Sequence, residues 1–217
     1  QESLQYESTK AGVRILAPTL PIETVASGGG SICWFDGVSL RVGPQSAGAS
    51  PGPACYGRGG PLTLTDLNVY LNRIPHDQFP FPIALDCIQQ RLSQLLAESG
   101  AILGMQSLQE LAAGFRRIAN EQMAEAVRTV SIAQGLDPRG HALVGFGGAA
   151  GQHICEIADL LEIRTVIDSG DSGMLSALGM GLATIRRDAV VSVYSDLDDC
   201  AWEALEELIA KNISAVD

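Results

Sequence analysis

A chain of 217 residues, 46% of them hydrophobic, can bury one good core or two small ones and reads as a soluble globular protein. Its 25 acidic side chains outnumber 14 basic ones for a formal charge of -11, and no basic run is longer than Arg116-Arg117 or Arg186-Arg187, which argues against a nucleic-acid partner and an anionic membrane surface. Five cysteines, Cys33, Cys55, Cys87, Cys155 and Cys200, are odd in number, far apart and without a CxxC pair; that fits neither a disulfide framework nor a zinc site and expects a reducing cytoplasm.

No stretch reaches the ~18 uninterrupted apolar residues of a membrane span, and the polar opening QESLQYESTK does not read as a signal peptide. A start at Gln1 without methionine, and an end at Asp217 partway along a helical pattern, read as a piece of something longer.

Residues 11–25 mix short β-prone pieces with two prolines, predicting strands joined by bends. SGGGS, Ser27 to Ser31, leads into the apolar ICWF and a turn at Asp36-Gly37; its three glycines serve either a close approach to a ligand or strand, or a bent connection. Ser39 to Leu62 is rich in glycine and proline with Arg41, Cys55, Tyr56 and Arg58 interspersed. Such a segment predicts a long ordered loop rather than a helix interior or central strand, and its composition departs from that of a flexible linker.

A helix follows, capped by Thr65 or Asp66, with Leu67, Tyr70, Leu71 and Ile74 on one face. Asp66 suits a helix N-terminus as a carboxylate, and also suits contact with a ligand or metal. A second helix starts with Asp86 as cap and is expected to stop at Gly100. The longest helix begins at a capping box of Ser107 and Glu110, repeats apolar residues from Leu108 to Val130, and is stopped by Gly135 and Pro138. On it Asn120, Glu121 and Glu125 either project into a cleft or are simply solvated.

The run His141 to Leu161 organises the chain. An apolar strand over 141–146 ends at Gly147-Gly148 and turns into a helix over 151–161; helix-start amides with no partner then suit an anion or a polar ligand edge, although tight strand-to-helix turns are common in α/β domains. A second strand, Arg164 to Asp168, the loop Ser169 to Gly173, a helix from Met174 to Ile185 and a last amphipathic stretch from Asp198 to Val216 follow. Alternation of helix and strand predicts a parallel sheet, with the loops GGAAG and SGDSG together on the rim where such sheets bind ligands.

In this order and spacing, GGGSICW, VGPQSAGASPGPACYGRGG, LTDLN, ANEQMAEAVR and GFGGAAGQH resemble the hydantoinase A/5-oxoprolinase family from about Ala11 to Arg187. Gly151-Gln152-His153 follows the oxoprolinase form of the second glycine loop rather than the GGAGPLH of hydantoinase A and carboxylase subunits. The resemblance implies an α/β fold, a lobe of an actin/hexokinase/Hsp70-like ATPase with a mixed sheet, covering helices and a helical and loop insertion. The implied layout is a strand-rich part over 1–60, the insertion over 61–106, the adenosine-side part of the same lobe over 107–190, and a linker or following segment over 191–217.

The implied activity is ATP-dependent opening of 5-oxoproline to glutamate. Phosphorylation turns the oxygen of a reluctant lactam into a leaving group, and water then opens the ring. The implied cofactors are ATP and Mg2+, with Gly147, Gly148 and Ala149 against adenosine and Gly28, Gly29 and Gly30 toward the phosphates or the interlobe cleft. Asp66, Arg41 and the loop from Ser46 to Tyr56 become candidates for substrate or metal, with no catalytic residue and no metal ligand assigned. Implied partners are a small cyclic amide and the rest of the parent chain or a partner subunit, in a homo-oligomer. The family's DxGGT-type phosphate loops do not occur in these residues, so weak nucleotide binding and no hydrolysis are expected of this chain alone. A hydantoinase, a ketone carboxylase subunit and a non-catalytic interaction module remain rival readings, and a Cys55 nucleophile is a remote one because no histidine partners it in a recognisable motif.

Overall fold

The computed structural model describes residues 7–10, 12–16, 22–25, 27–184, 191–193 and 202–216. Its strands are β1 (Ser8–Lys10), β2 (Val13–Ile15), β3 (Ser31–Phe35), β4 (Leu40–Ser46), β5 (Ala142–Gly145) and β6 (Thr165–Asp168). Its helices are α1 (Leu64–Tyr70), α2 (Leu85–Leu103), α3 (Leu108–Ala133), α4 (Ile154–Leu160), α5 (Leu175–Leu182) and α6 (Trp202–Val216). Gln1–Leu175 form one compact unit and Ser176–Asp217 another. In the second unit α6 covers most of the amphipathic stretch read from the sequence, whose residues 198–201 lie outside the described ones, as does Ile185.

The hairpin β3–β4 is antiparallel, pairing Cys33 with Val42 and Phe35 with Leu40, and its turn is the expected Asp36-Gly37. Asp36 accepts bonds from the Val38 and Ser39 amides at 2.8 and 2.7 Å and from Arg41 Nε at 2.6 Å. The Ser39 amide, then Arg41, hold its carboxyl well below the usual carboxylate range. Part of the segment expected to be loop is therefore strand. Residues 40–46 pair as β4 despite Gly43 and Pro44, which a two-stranded ribbon tolerates at a register shift where no ladder on the far side is broken.

Residues 47–62 remain an ordered loop, folded so tightly that a Cβ on Gly60 would lie 1.9 Å from the Gly52 carbonyl oxygen. Thr63, rather than Thr65 or Asp66, caps α1: its hydroxyl meets the Asp66 amide while the Asp66 carboxylate returns to the Thr63 amide. Helix α2 also departs from expectation. It starts after Ala84 with no side-chain cap, placing Asp86 in the first turn, and runs through Gly100 to a left-handed Gly104. Gly100 stays helical because it is a packing position, where a Cβ would stand 3.0 Å from the Met105 carbonyl. Helix α3 has the expected Ser107/Glu110 box and spans roughly 39 Å at ~1.5 Å per residue.

One buried cluster joins Cys33 and Val42 of the hairpin to Leu64, Leu67 and Val69 of α1, Ile88 and Leu92 of α2, and Leu111 and Phe115 of α3. The stretch 61–106 thus shares its core with the strands before it. Phe115 is fully buried at the centre of this cluster. Phe115→Ala is expected to cost about 3–5 kcal/mol through lost burial and the void left behind, read as a lower urea midpoint at unchanged slope. A loss below ~1 kcal/mol would show that the core lies elsewhere.

A smaller cluster packs Ile157, Ala158, Leu161 and Ile163 on Ala124 of α3. It carries the unit β5–α4–β6, whose strands pair in parallel from Ala142 with Thr165 to Gly145 with Asp168. The predicted strands and helices of this region are found with ends shifted by a few residues, and short 3-10 turns, Ala150–Gln152 and Ser172–Met174, precede α4 and α5. Among the described residues the strands form three separate pairs, two antiparallel and one parallel, rather than one continuous mixed sheet. Four-residue strands bury one face against α4 and leave Val144 and Ile167 half exposed on the other.

Candidate functional site

The site is built where β5 stops. A Cβ on Gly145 would stand 2.5 Å from Ile154 Cδ1, so glycine here lets α4 close on the strand end without displacing that side chain. Gly147 then takes a φ of 92° and donates its amide to the Ser172 carbonyl at 2.7 Å. That bond ties the two glycine-rich loops together on one rim, as the βαβ order predicted.

The start of α4 differs from expectation. The 3-10 turn uses the amides of Ala150, Gln152 and His153 on the carbonyls of Gly147, Ala149 and Ala150, so they are not offered to a ligand. The amides of Gly148 and Ala149 have no such partner among the described residues.

Beside this turn lies a pocket of about 410 Å³. Ser27 and Gly28 form one wall, residues 146–150 and His153 another, and Met123, Val127, Leu143, Ile154 and Ile157 give an apolar floor. No lysine or arginine is among the described residues lining it. Of the residues expected to hold a nucleotide, the structure brings Gly28, Gly147, Gly148 and Ala149 to one cavity. Gly29 and Gly30 are used in packing instead: their carbonyls accept from Thr65 and Ala47 amides at 2.9 Å, and a Cβ on either would stand 2.8 Å from a hydroxyl.

The candidates for substrate contact lie apart from this pocket. Asp66 is fully buried, and its carboxylate accepts from the amides of Ala54, Cys55 and Thr63 and from the Thr63 hydroxyl, at 2.7 to 3.0 Å. It is the clasp of the 47–62 loop, with no oxygen open to a ligand. Arg41 is solvent-exposed on β4 and paired with Asp36. The Cys55 thiol is buried, and burial followed by the Asp66 carboxylate pushes it up, so it stays protonated at neutral pH and is no nucleophile. Among the described residues no three His, Cys, Asp or Glu side chains converge on one point.

Sequence reasoning missed a buried polar group behind the pocket. Asn120 is buried where α4 crosses α3, at the floor of a second cavity of about 540 Å³ that Arg73, Arg116 and Glu156 also line, while Glu121 and Glu125 are exposed. Arg116 Nη1 donates to Asn68 Oδ1 at 2.8 Å; Asn68 Nδ2 faces His153 Nε2 at 3.2 Å; His153 Nδ1 faces Asn120 Oδ1 at 2.7 Å; and Asn120 Nδ2 donates to Glu156 Oε2 at 2.5 Å. The ion pair of Glu156 with Arg116 Nη2 closes the circle. Burial, then the Arg116 charge, lower the His153 imidazole to about 4, and Arg116 lowers the Glu156 carboxyl. A signal was present in Arg116 and Asn120, two polar residues one turn apart on the face of α3 that carries Leu111, Phe115 and Ala119.

A parallel strand pair with a helix packed on it, and a pocket between the strand end and a second glycine segment, mark this as a lobe of an α/β protein, and the family and fold matches agree. The Hydantoinase/oxoprolinase family model matches residues 1–189, and the chain belongs to this family. It is 42% identical over 190 residues to the 5-oxoprolinase of Saccharomyces cerevisiae, covering 83% of this chain and 15% of that one. The crystal structure of the ATP-dependent caprolactamase from Pseudomonas jessenii matches with a TM-score of 0.78 and 32% identity, over 98% of this chain and 32% of that one. A nucleotide-free acetone carboxylase matches at a TM-score of 0.72 and 21% identity, over 82% of this chain and 26% of the other, and shares the fold. The chain spans between about a sixth and a third of the length of the curated relatives it matches.

Proposed function

We propose that this chain is the adenosine-side part of an ATP-dependent 5-oxoprolinase, which phosphorylates the oxygen of 5-oxo-L-proline and lets water open the activated ring to L-glutamate, releasing ADP and phosphate. The observation that carries the reading is the meeting of Gly28 with Gly147–Ala149 around an apolar floor large enough for a nucleoside. Gln152 and His153 in the oxoprolinase form of the loop, and the likeness to named 5-oxoprolinases, support the substrate. Mg2+ would come with the nucleotide, held by its phosphates and by groups beyond these residues. Free Cys33, Cys55, Cys87 and Cys155 support a cytoplasmic setting, and no helix among the described residues is long and apolar enough to cross a membrane.

The test is ATP turnover by the parent protein with 5-oxoproline, hydantoin, caprolactam and acetone in parallel. Turnover led by 5-oxoproline is the expected result; turnover led by another substrate overturns the assignment. The likeness to a caprolactamase across 98% of the chain favours a second reading, a hydrolase of another lactam working with a partner subunit. At the level of binding, Gly148→Asp places a carboxylate at the pocket turn. It is expected to weaken adenosine binding by about tenfold or more, measured by saturation-transfer NMR. A signal unchanged by this substitution favours an interaction module whose glycine loops are only structural.

A further inference from the structure

We infer that His153 is the positioning residue of the glycine pocket: held as the Nδ1–H tautomer within a closed ring of polar contacts, it fixes the Gly147–Gln152 turn to α1 and α3. The direction of every bond in that ring follows from its two charged members. Arginine only donates, so the Asn68 atom facing Arg116 Nη1 is the carbonyl oxygen and the atom facing His153 is the amide nitrogen. His153 Nε2 must then accept, which leaves its proton on Nδ1, directed at Asn120 Oδ1. The Asn120 amide nitrogen is thereby turned to Glu156 Oε2, and a carboxylate only accepts.

No member can reverse alone. Turning Asn68 over would set its amide against Arg116 and remove the donor that also serves Gln152 Oε1 at 2.7 Å. A proton on His153 Nε2 would confront the Asn68 amide. The charged groups facing the imidazole are Arg116 on α3 and Glu156 on α4, with Arg73 beyond at 3.4 Å from Glu156; Asn68 on α1 and Asn120 on α3 do not titrate. Arg116 and Glu156 already balance, so an imidazolium would add an uncompensated buried charge.

The consequence falls on the pocket. His153 both belongs to the ring and lines the glycine cavity, and the residue before it is anchored twice, through its side chain to Asn68 and through its carbonyl to Arg116 Nη1 at 3.2 Å. The turn from Gly147 to Ala150, held by its own short bonds and by Gly147 to Ser172, is thus also fastened at its far end, through Gln152 and His153, to a network on α1, α3 and α4. The role deepens the nucleoside-pocket reading and rests on it for its purpose, while the ring itself is read directly.

The experiment is 15N NMR of the imidazole in the 217-residue chain, with amide exchange across Gly147–Gln152. The wild type is expected to show a neutral Nδ1–H ring from pH 8 to 5.5, protonating only toward pH 4. An Nε2–H ring, or titration at the ordinary value of about 6.5, overturns the inference. Asn68→Asp offers a carboxylate to Nε2 while keeping an acceptor for Arg116, so His153 is expected to become doubly protonated near neutral pH, a change that a merely space-filling histidine would not undergo. His153→Phe is expected to speed exchange of the turn amides by about tenfold, as loss of one buried bond does, and unchanged exchange overturns the positioning role. If the ring behaves as described while adenosine leaves the turn amides unmoved, the nucleotide reading fails and the positioning role stands.

Discussion

Asp66→Ala is expected to abolish most of the stability of the Gln1–Leu175 unit. One carboxylate satisfies three backbone amides and a hydroxyl, all buried, drawn from the loop at Ala54-Cys55 and from the cap of α1 at Thr63. Alanine would leave the Cys55 and Thr63 amides and the Thr63 hydroxyl without an acceptor, at ~1–3 kcal/mol each, while the Ala54 amide keeps its bond to the Pro61 carbonyl at 3.0 Å. The sum, roughly 3–9 kcal/mol, compares with the ~5–15 kcal/mol that holds a typical domain together. Urea unfolding should show a collapsed midpoint or no folded baseline, whereas Asp66→Asn, which turns one amide against the Cys55 N–H, should cost a fraction of that. A midpoint for Asp66→Ala within ~1 kcal/mol of wild type would mean that the loop is held by something else. A parent protein that stays folded with Asp66→Asn yet loses turnover would return this residue to the list of substrate contacts.

Steady-state ATP hydrolysis by the 217-residue chain is expected to be indistinguishable from background, with adenosine and ATP binding within a few-fold of each other. The described pocket lining is apolar and glycine-rich, with no lysine or arginine to meet a triphosphate. Phosphoryl transfer depends on fixed positive charge and a positioned acceptor, and the loss of such groups costs orders of magnitude in rate. The chain also carries no DxGGT-type sequence. ADP release proportional to chain concentration would overturn this, as would a preference for ATP of about a hundredfold, worth ~2.7 kcal/mol from phosphate contacts.

What could be read from sequence was mostly what is local. The Ser107/Glu110 box was legible because both partners sit within one turn, and β5 and β6 because each is a short apolar run beside glycines. The rim shared by the two loops followed from the order strand, helix, strand. At the head of α1 the sequence pointed to Thr65 or Asp66 as the cap; Thr63 takes that role while the Asp66 carboxylate also reaches Ala54 and Cys55, bonds that no local pattern contains. Gly100, the expected end of α2, is drawn inside the helix by close packing, and Gly104 ends it instead. Helical periodicity showed which side of α3 carries Asn120 but not that α4 lies across it. The ring around His153 joins residues from three helices, so spacing along the chain had no means of revealing it.

That circle also constrains how the chain can change through descent. Because each amide has its orientation dictated by the neighbour on either side, a lone codon change at Asn68, Arg116, Asn120 or Glu156 strands two companions at once. Lineages that alter it should do so by paired exchanges that keep one cationic and one anionic end, and intermediates carrying a single change should be rare.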